Sequence, residues 1–254
     1  MEQYLDLRGH QTYSYEWENN GEAVVLLHGG LSQTSHWDYV LAPDLEPDFH
    51  LFAYDRTAHG FTGDREGSMH FDFQCGEAIA YLEDVVKEPA HLIGHSDGAI
   101  IALMVAMRRP ELVRSVVAFG GNFHHSGTLP LPEWDGFISP EDRAEHAATS
   151  PDAPETLDGK IGKMFAIWKS EPNFTVADIA QIKCPVLVLV GDDDVIDHKH
   201  SVLMFESIPQ GRLAVIPGTS HEAHKEKPEM FQMFIREFLA NLDYPETKDR
   251  KSVV

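Results

Sequence analysis

The sequence predicts an α/β protein with a doubly wound, mostly parallel sheet. Short apolar runs that end in glycine or acidic residues recur along the chain, as is typical of strands buried on both faces of a parallel sheet. Helical patterns lie between these runs, and alternation of strand and helix indicates the doubly wound architecture. With 254 residues, 43% of them hydrophobic, the chain can bury a substantial core in one large domain.

Seven segments carry the strand pattern. The first alternates aromatic and polar residues, as a half-buried strand does, and the other six are continuous apolar runs. The segments are QTYSYEW (11–17), AVVLLHGG (23–30), HLFAYDR (50–56), HLIGH (91–95), SVVAFGG (115–121), PVLVLVGDDD (185–194) and RLAVIPG (212–218).

Four segments carry a helical pattern. The segment 71–86 is amphipathic, and the segment 97–109 is apolar nearly all round and ends before Pro110. Two further helices are expected at 200–208 and 228–242.

One long segment, residues 124–174, interrupts the alternation. It contains six prolines and only weak helical patches, at PEDRAEHAA and LDGKIGKMFAIWKS, and it has no buried-strand pattern. We expect it to be an insertion folded over the end of the sheet, joining the two parts of the core at 1–123 and 175–242. The charged terminus 243–254 is short of apolar residues and is expected to be frayed.

Composition limits the partners of this chain. The 41 acidic and 20 basic residues give a formal charge of −21, which disfavours nucleic acid and anionic membranes and suits neutral or cationic small molecules. The polar N-terminus is unlike a signal peptide, and no apolar run approaches the roughly 20 residues that span a bilayer. The default expectation is therefore a cytoplasmic protein, and the sequence carries no indication of its oligomeric state.

The sequence Gly94-His95-Ser96-Asp97-Gly98 lies between a predicted strand and a predicted helix. A G-x-S-x-G pattern in that context is a sharp turn that strains the serine backbone and presents its hydroxyl at the end of the sheet. We therefore interpret Ser96 as a nucleophile, and the N–H of Asp97 as a donor to a developing oxyanion. The alternative is a serine that only caps the helix.

A serine nucleophile needs a base and an acid that orients the base. In this architecture the chain order is serine, acid, histidine. Four acidic residues follow one strand within 192–197, and His221 follows the next strand in GTSH. A second oxyanion donor is expected at the glycine-rich strand end LLHGGL, from the N–H of Gly30, with Leu31 beside it.

The 15 histidines also raise the question of a metal site. Helical zinc proteases use H-E-x-x-H, with the histidines four apart. Here His221 and His224 are three apart, and no third ligand is evident. The sequence therefore predicts neither a metal nor another cofactor. The two cysteines, Cys75 and Cys184, lack neighbouring ligands and are interpreted as buried thiols.

The HGG turn, the GHSDG elbow, the GDDD loop and the GTSH loop resemble the α/β-hydrolase superfamily in spacing and order. The resemblance covers the chain outside the insertion. In such proteins the acid is usually the last residue of G-x-x-D, which implies Asp194, and the histidine lies in G-x-x-H, which implies His221.

Within that superfamily, the S-D-G elbow and Gly120-Gly121-Asn122 look like the valacyclovir hydrolase or biphenyl-hydrolase-like branch, which hydrolyses amino-acid esters. One departure is YDRTAHGFT, where the superfamily usually reads Asp-x-Arg-Gly-x-Gly. It lies outside the proposed catalytic set and concerns the subfamily rather than the mechanism.

Four residues are candidates for substrate binding. Leu31, Asn122 and His124 follow predicted strands, although His124 could equally face water. Asp97 has two possible roles. It is either an acid that is favoured at a helix N-terminus or a carboxylate that binds a cation on the substrate.

The resulting hypothesis is a serine hydrolase that cleaves a small ester, thioester, lactone or activated amide without a cofactor. One alternative is C–C bond hydrolysis of a ring-cleavage product, which would need cations in the pocket for the substrate carboxylate. The insertion offers Arg143, Lys160, Lys163 and Lys169. Another alternative is a slow-turnover receptor for a small molecule on a hydrolase fold.

Overall fold

The computed structural model describes residues 1–131, 133, 136 and 138–243. These residues form one sheet of eight strands. The strands are β1 (Glu2–Asp6), β2 (Gln11–Trp17), β3 (Ala23–Leu27), β4 (His50–Tyr54), β5 (Ala90–His95), β6 (Val113–Phe119), β7 (Val186–Asp193) and β8 (Gly211–Ser220).

The sheet is mostly parallel, as the sequence predicts. Its spatial order is β1-β2-β4-β3-β5-β6-β7-β8, and only the pairs β1–β2 and β2–β4 are antiparallel. The sequence prediction lacks β1, whose pattern differs from that of the other strands. Four of its five residues are exposed at the sheet edge, so it has no buried apolar face to mark it.

Helices pack on both faces of the sheet. Alternate side chains of a strand point to opposite faces, and in β3 Val25 and Leu27 join one apolar cluster while Val24 and Leu26 join the other. The helices are α1 (Ala42–Leu45), α2 (Phe71–Tyr81), α3 (Asp97–Arg108), α4 (Pro140–Thr149), α5 (Thr156–Trp168), α6 (Val176–Ile179), α7 (His198–Ser207), α8 (Ala223–Glu226) and α9 (Pro228–Ala240).

The predicted insertion contains α4 and α5, which coincide with its two weak helical patches. An isolated bridge between His124 and Asn173 brings its two ends together. Helix α4 has no buried residue, and it begins at Ser139, whose hydroxyl accepts the N–H of Asp142 at 3.0 Å. Of the terminus expected to be frayed, only Asp243 lies within the described residues.

Close backbone contact at the β5–α3 junction explains the two glycines that flank Ser96. A Cβ atom on Gly94 would overlap the carbonyl oxygen of Gly98, and a Cβ atom on Gly98 would overlap the carbonyl oxygen of Leu27. Both obstacles are backbone atoms, which cannot move aside as a flexible side chain could. Helix α3 can therefore pass close to β3 and β5 only if both positions lack a side chain.

We predict that Gly98→Ala lowers the free energy of unfolding by about 3 kcal/mol, because the new methyl group must push helix and strand apart. The measurement is urea unfolding followed by circular dichroism. The matched control is Gly76→Ala on α2, where an added Cβ meets nothing within 4 Å. Since alanine favours a helix, the control should gain up to about 1 kcal/mol. Equal stabilities for the two variants would contradict the packing described above.

Candidate active site

A cavity of about 400 Å³ lies at the carboxyl ends of the strands, beneath the insertion. This is where open α/β sheets bind their ligands. The cavity is lined by segments that follow several strands and by residues of the insertion. Among the residues singled out from the sequence, those in the lining are Gly30, Leu31, Ser96, Asp97, Asn122 and His221.

Ser96 forms the turn between β5 and α3. Its φ of 53° and ψ of −117° lie outside the regions that residues with a side chain favour, and its N–H is held by the carbonyl oxygen of Phe119 at 2.8 Å. The side chain lines the cavity. The hydrogen bonds of the described residues include none from the Ser96 hydroxyl, so a bond between Ser96 and His221 is not formed in this structure.

His221 lines the same cavity and is hydrogen-bonded to Asp194, which is not part of the lining. Nδ1 of His221 lies 2.7 Å from Oδ1 of Asp194, whose side chain is fully buried. An ionised carboxylate can only accept, so the proton of a neutral His221 lies on Nδ1, and Nε2 keeps a free electron pair. Asp194 is itself held by the N–H of Ile196 at 3.0 Å.

The other three acidic residues of this loop either accept a different hydrogen bond or are exposed. Oδ1 of Asp192 accepts the N–H of Thr219 at 3.0 Å, and Asp193 is exposed. Oδ1 of Asp197 accepts the N–H of Lys199 at 2.7 Å and so caps α7. Of the four acids the sequence offers here, Asp194 is the one hydrogen-bonded to His221.

His95 holds the backbone of the histidine loop. Its Nε2 lies 3.0 Å from the carbonyl oxygen of His221, and a carbonyl can only accept, so this nitrogen carries the proton. Burial lowers the pKa of His95 well below its usual range. A neutral His95 thus fixes the position from which the His221 side chain projects.

The two residues expected to supply oxyanion donors line the cavity with Ser96. They are Gly30, just beyond β3, and Asp97, the first residue of α3. Among the described residues, the hydrogen bonds include none from either N–H group. A Cβ atom on Gly30 would overlap the Asp97 carboxylate and the indole of Trp168, so the absence of a side chain brings this backbone close to α3.

The side chain of Asp97 is buried, with 2% of the residue exposed. Oδ1 accepts the indole N–H of Trp168 at 2.9 Å, while Oδ2 is buried without a hydrogen-bond partner. Burial raises the pKa of Asp97, and the positive charge of Arg56 opposes that shift. A buried carboxylate oxygen without a hydrogen-bond partner lowers the stability of the folded protein. Asp97 therefore differs from a solvent-exposed acid at a helix start.

Negative charge predominates around the cavity. Five acidic residues and one lysine line it: Asp97, Asp142, Glu145, Glu171, Glu222 and Lys225. The four basic residues of the insertion named above all pair with acids and are absent from this lining. The pairs are Arg143–Asp158, Lys160–Asp152, Lys163–Asp64 and Lys169–Glu133.

The candidate substrate-binding residues separate into two groups. Leu31 and Asn122 line the cavity, and the Asn122 amide donates to the carbonyl oxygen of His124 at 2.9 Å. His124 is not part of this lining. Its Nδ1 instead accepts the N–H of Ser126 at 3.2 Å and caps a short helical turn.

Sequence reasoning missed the residues by which the insertion contacts the core. Trp168 reaches Asp97, as described above, and Glu145 lies 3.2 Å from Nε2 of His36 and accepts the Gln33 amide at 2.8 Å. These contacts join segments more than 70 residues apart in the chain. The weak helical patterns around Trp168 and Glu145 do not indicate which distant residues these side chains contact.

The described residues hold neither a cluster of metal ligands nor a membrane-spanning helix. No group of three His, Cys, Asp or Glu side chains is placed to hold a metal ion. None of the helices in this part of the chain is both long and apolar enough to cross a bilayer.

The sheet topology, the serine at a strand–helix turn and the acid–histidine pair define the class of α/β hydrolases. The chain belongs to the alpha/beta hydrolase family, whose sequence model matches residues 24–231. This confirms the family that the sequence motifs indicate.

The individual relatives have low sequence identity to this chain, but the similarity extends over most of the length of both proteins. An AB hydrolase superfamily protein of Gibberella zeae is 26% identical over 92% of this chain and 86% of its own. The serine hydrolase BPHL of Mus musculus is 22% identical over 89% of this chain and 82% of its own, which agrees with the branch resemblance. The meta-cleavage product hydrolase of Pseudomonas fluorescens IP01 has the same fold, with a TM-score of 0.77, 21% identity, and coverage of 96% of this chain and 98% of its own.

We predict that Asp194→Asn lowers kcat for ester hydrolysis by about 10⁴-fold, because an amide favours the wrong tautomer of His221. Asp192→Asn and Asp193→Asn are the matched controls in the same loop and should retain most of the activity. The measurement is steady-state hydrolysis of p-nitrophenyl esters. Equal losses in all three variants, or a dominant loss for Asp197→Asn, would show that another acid orients the histidine.

Proposed function

We propose that this chain is a serine hydrolase that cleaves small carboxylic esters through an acyl-enzyme. The observation that carries the proposal is the 2.7 Å bond from the buried Asp194 to His221, which lines the same cavity as Ser96 on its strained turn. A histidine held by a buried acid is a suitable general base for a serine hydroxyl.

The proposed reaction has two halves. Oγ of Ser96 attacks the ester carbonyl while Nε2 of His221 takes the hydroxyl proton, and the N–H groups of Gly30 and Asp97 stabilise the oxyanion. When the C–O bond breaks, the imidazolium returns the proton to the leaving alcohol. Water then attacks the acyl-enzyme by the same route, with Asp194 stabilising the imidazolium in both halves. No cofactor takes part.

We further propose that the preferred esters carry a positive charge near the scissile carbonyl. Five acidic residues and one lysine line the cavity, and the lysine pairs with one of these acids, Glu222, on a protein with a formal charge of −21. Asp97 lies next to Ser96 and has an oxygen without a partner. The resemblance to hydrolases of amino-acid esters supports the same class of substrate.

The electrostatics of the cavity disfavour the alternative of C–C bond hydrolysis. Ring-cleavage products carry a carboxylate that a cation in the pocket would have to bind. The basic residues of the insertion are paired with acids outside the cavity lining. Lys225 does line it, but its Nζ lies 2.8 Å from the Glu222 carboxylate, so the cavity offers little to an anionic substrate.

We predict that Ser96→Ala lowers the turnover of esters by about 10⁴-fold or more while the protein remains folded, because the nucleophile is lost. The measurements are p-nitrophenyl ester hydrolysis, covalent labelling by a fluorophosphonate probe, and circular dichroism. A variant that keeps a tenth of the wild-type rate would refute the acyl-enzyme mechanism. A wild-type burst of one equivalent without steady turnover would instead favour the slow-turnover receptor.

We predict that a valine ester is hydrolysed with a kcat/KM roughly 10- to 100-fold above that of the matching ester without the amino group. A charged hydrogen bond to Asp97 is worth roughly 1.5–3 kcal/mol, and about 1.4 kcal/mol corresponds to tenfold. Asp97→Asn should abolish the preference.

Trp168→Phe is the matched control for this prediction, since it removes the indole N–H that occupies Oδ1 of Asp97 and leaves the carboxylate. This variant should keep the preference for the amine. A wild type indifferent to the amino group would mean that Asp97 serves only the helix start. A preference that survives Asp97→Asn would mean that another acid of the cavity binds the amine.

A further inference from the structure

A buried arginine holds the loop that carries one proposed oxyanion donor. Arg56 is fully buried, and its Nη2 donates to the carbonyl oxygen of Gly29 at 2.6 Å. Its Nη1 donates to the side-chain oxygen of Gln74 on α2. The guanidinium thus connects α2 with the glycine turn that follows β3.

His28 supplies a second donor to the same carbonyl group. Its Nε2 lies 3.1 Å from the backbone nitrogen of Arg56, which can only donate, so Nε2 is the accepting nitrogen. Burial lowers the pKa of His28 well below its usual range, and the one proton of the neutral ring therefore lies on Nδ1. That nitrogen lies 2.8 Å from the carbonyl oxygen of Gly29, which accepts from both His28 and Arg56.

Holding this carbonyl group also orients the next N–H group. The C=O of Gly29 and the N–H of Gly30 belong to one planar peptide unit, and the only cis peptide bond among the described residues is Glu171–Pro172. In a trans peptide the two groups point in opposite directions. The guanidinium behind the loop therefore fixes the direction in which the Gly30 N–H points.

We propose that Arg56 is a positioning residue that orients the Gly30 N–H for the oxyanion by binding the carbonyl oxygen of Gly29. The inference rests on the proposed function, since it assigns Arg56 to the oxyanion hole of that reaction. Arg56 lies behind the loop and is not part of the cavity lining, so its effect passes through the Gly29–Gly30 peptide.

The charge of Arg56 suits this position. The oxyanion would form beside Asp97, and a carboxylate there opposes the development of further negative charge. Arg56 and Asp97 attract one another, because Arg56 opposes the rise in the pKa of Asp97 and Asp97 opposes the fall that burial causes in the pKa of Arg56. A positive charge behind the loop thus offsets the negative charge beside Ser96.

The competing explanation is that Arg56 only stabilises the core. Both roles predict a loss of stability on mutation, so stability cannot separate them. If Arg56 orients an oxyanion donor, its mutation should weaken stabilisation of the tetrahedral state but not binding of the substrate. Such a mutation lowers kcat and leaves KM nearly unchanged. Phenylboronic acid reports the same state without turnover, because its tetrahedral adduct with the serine hydroxyl places an oxygen in the oxyanion hole.

The experiment compares the full-length wild type with Arg56→Met, Arg56→Lys and Glu77→Gln. Glu77 is the matched control, because it is a buried polar residue of α2 that contacts Thr57 rather than Gly29. For each protein we would measure kcat and KM on a p-nitrophenyl ester, the inhibition constant of phenylboronic acid, and the free energy of unfolding in urea. Ser96→Ala defines the background rate.

For Arg56→Met we expect kcat to fall by about 10²-fold, comparable to the loss of one oxyanion donor. The inhibition constant of phenylboronic acid should rise by a similar factor, with KM within about threefold of the wild type. Arg56→Lys should lose about tenfold in both quantities, since one ammonium group cannot hold Gln74 and Gly29 with the fork of a guanidinium. Glu77→Gln should change stability without these effects.

Arg56 variants with wild-type kcat and wild-type boronate affinity would overturn this inference alone. A loss no greater than that of Glu77→Gln at equal stability would do the same. If Arg56→Met does not fold, Arg56→Lys decides the question by the same criteria. A wild type without hydrolysis dependent on Ser96 would overturn the proposed function and this inference together.

Discussion

The close approach of α3 to β3 and β5 is the constraint on which the rest of the site depends. Gly94 and Gly98 have no room for a side chain beside backbone carbonyl groups, and the turn between them places Ser96 at a positive φ. Because the helix starts so close to the sheet, its first residue lines the same cavity as the loop after β3. One packing constraint therefore brings the proposed nucleophile and the two residues proposed as oxyanion donors to one cavity.

The same close packing creates an electrostatic problem that buried polar groups counter. Asp97 is carried into the interior at the helix start, where an unpaired charge is costly. Trp168 of the insertion donates to one oxygen, and the positive charge of Arg56 acts from behind the loop. The second oxygen is left without a partner, which a folded protein tolerates more readily where a bound ligand completes the hydrogen bonding.

The sequence predicted the parts of this protein that local pattern encodes. Strands buried on both faces appear as apolar runs, and Ser96 and His221 lie in short motifs at the ends of such runs, so the fold class and the cavity position of both residues followed from the pattern. Strand β1 escaped prediction because it is exposed at the sheet edge. The contacts of Trp168 and Arg56 were not predicted, because they depend on which distant segments pack together. The sequence left the direction of His124 open, because a polar residue just past a strand can turn either way.

The insertion contributes acidic residues and an indole to the cavity that holds the proposed reactive groups. Its own cations are held in pairs and are absent from the lining, so its net contribution to the cavity lining is negative charge. Its Trp168 also contacts Asp97, one residue from Ser96. The indole occupies Oδ1 of Asp97, so the proposed substrate cation would bind at Oδ2, which has no partner. The proposed preference for a positive substrate group and the position of the insertion therefore both depend on the carboxylate of Asp97.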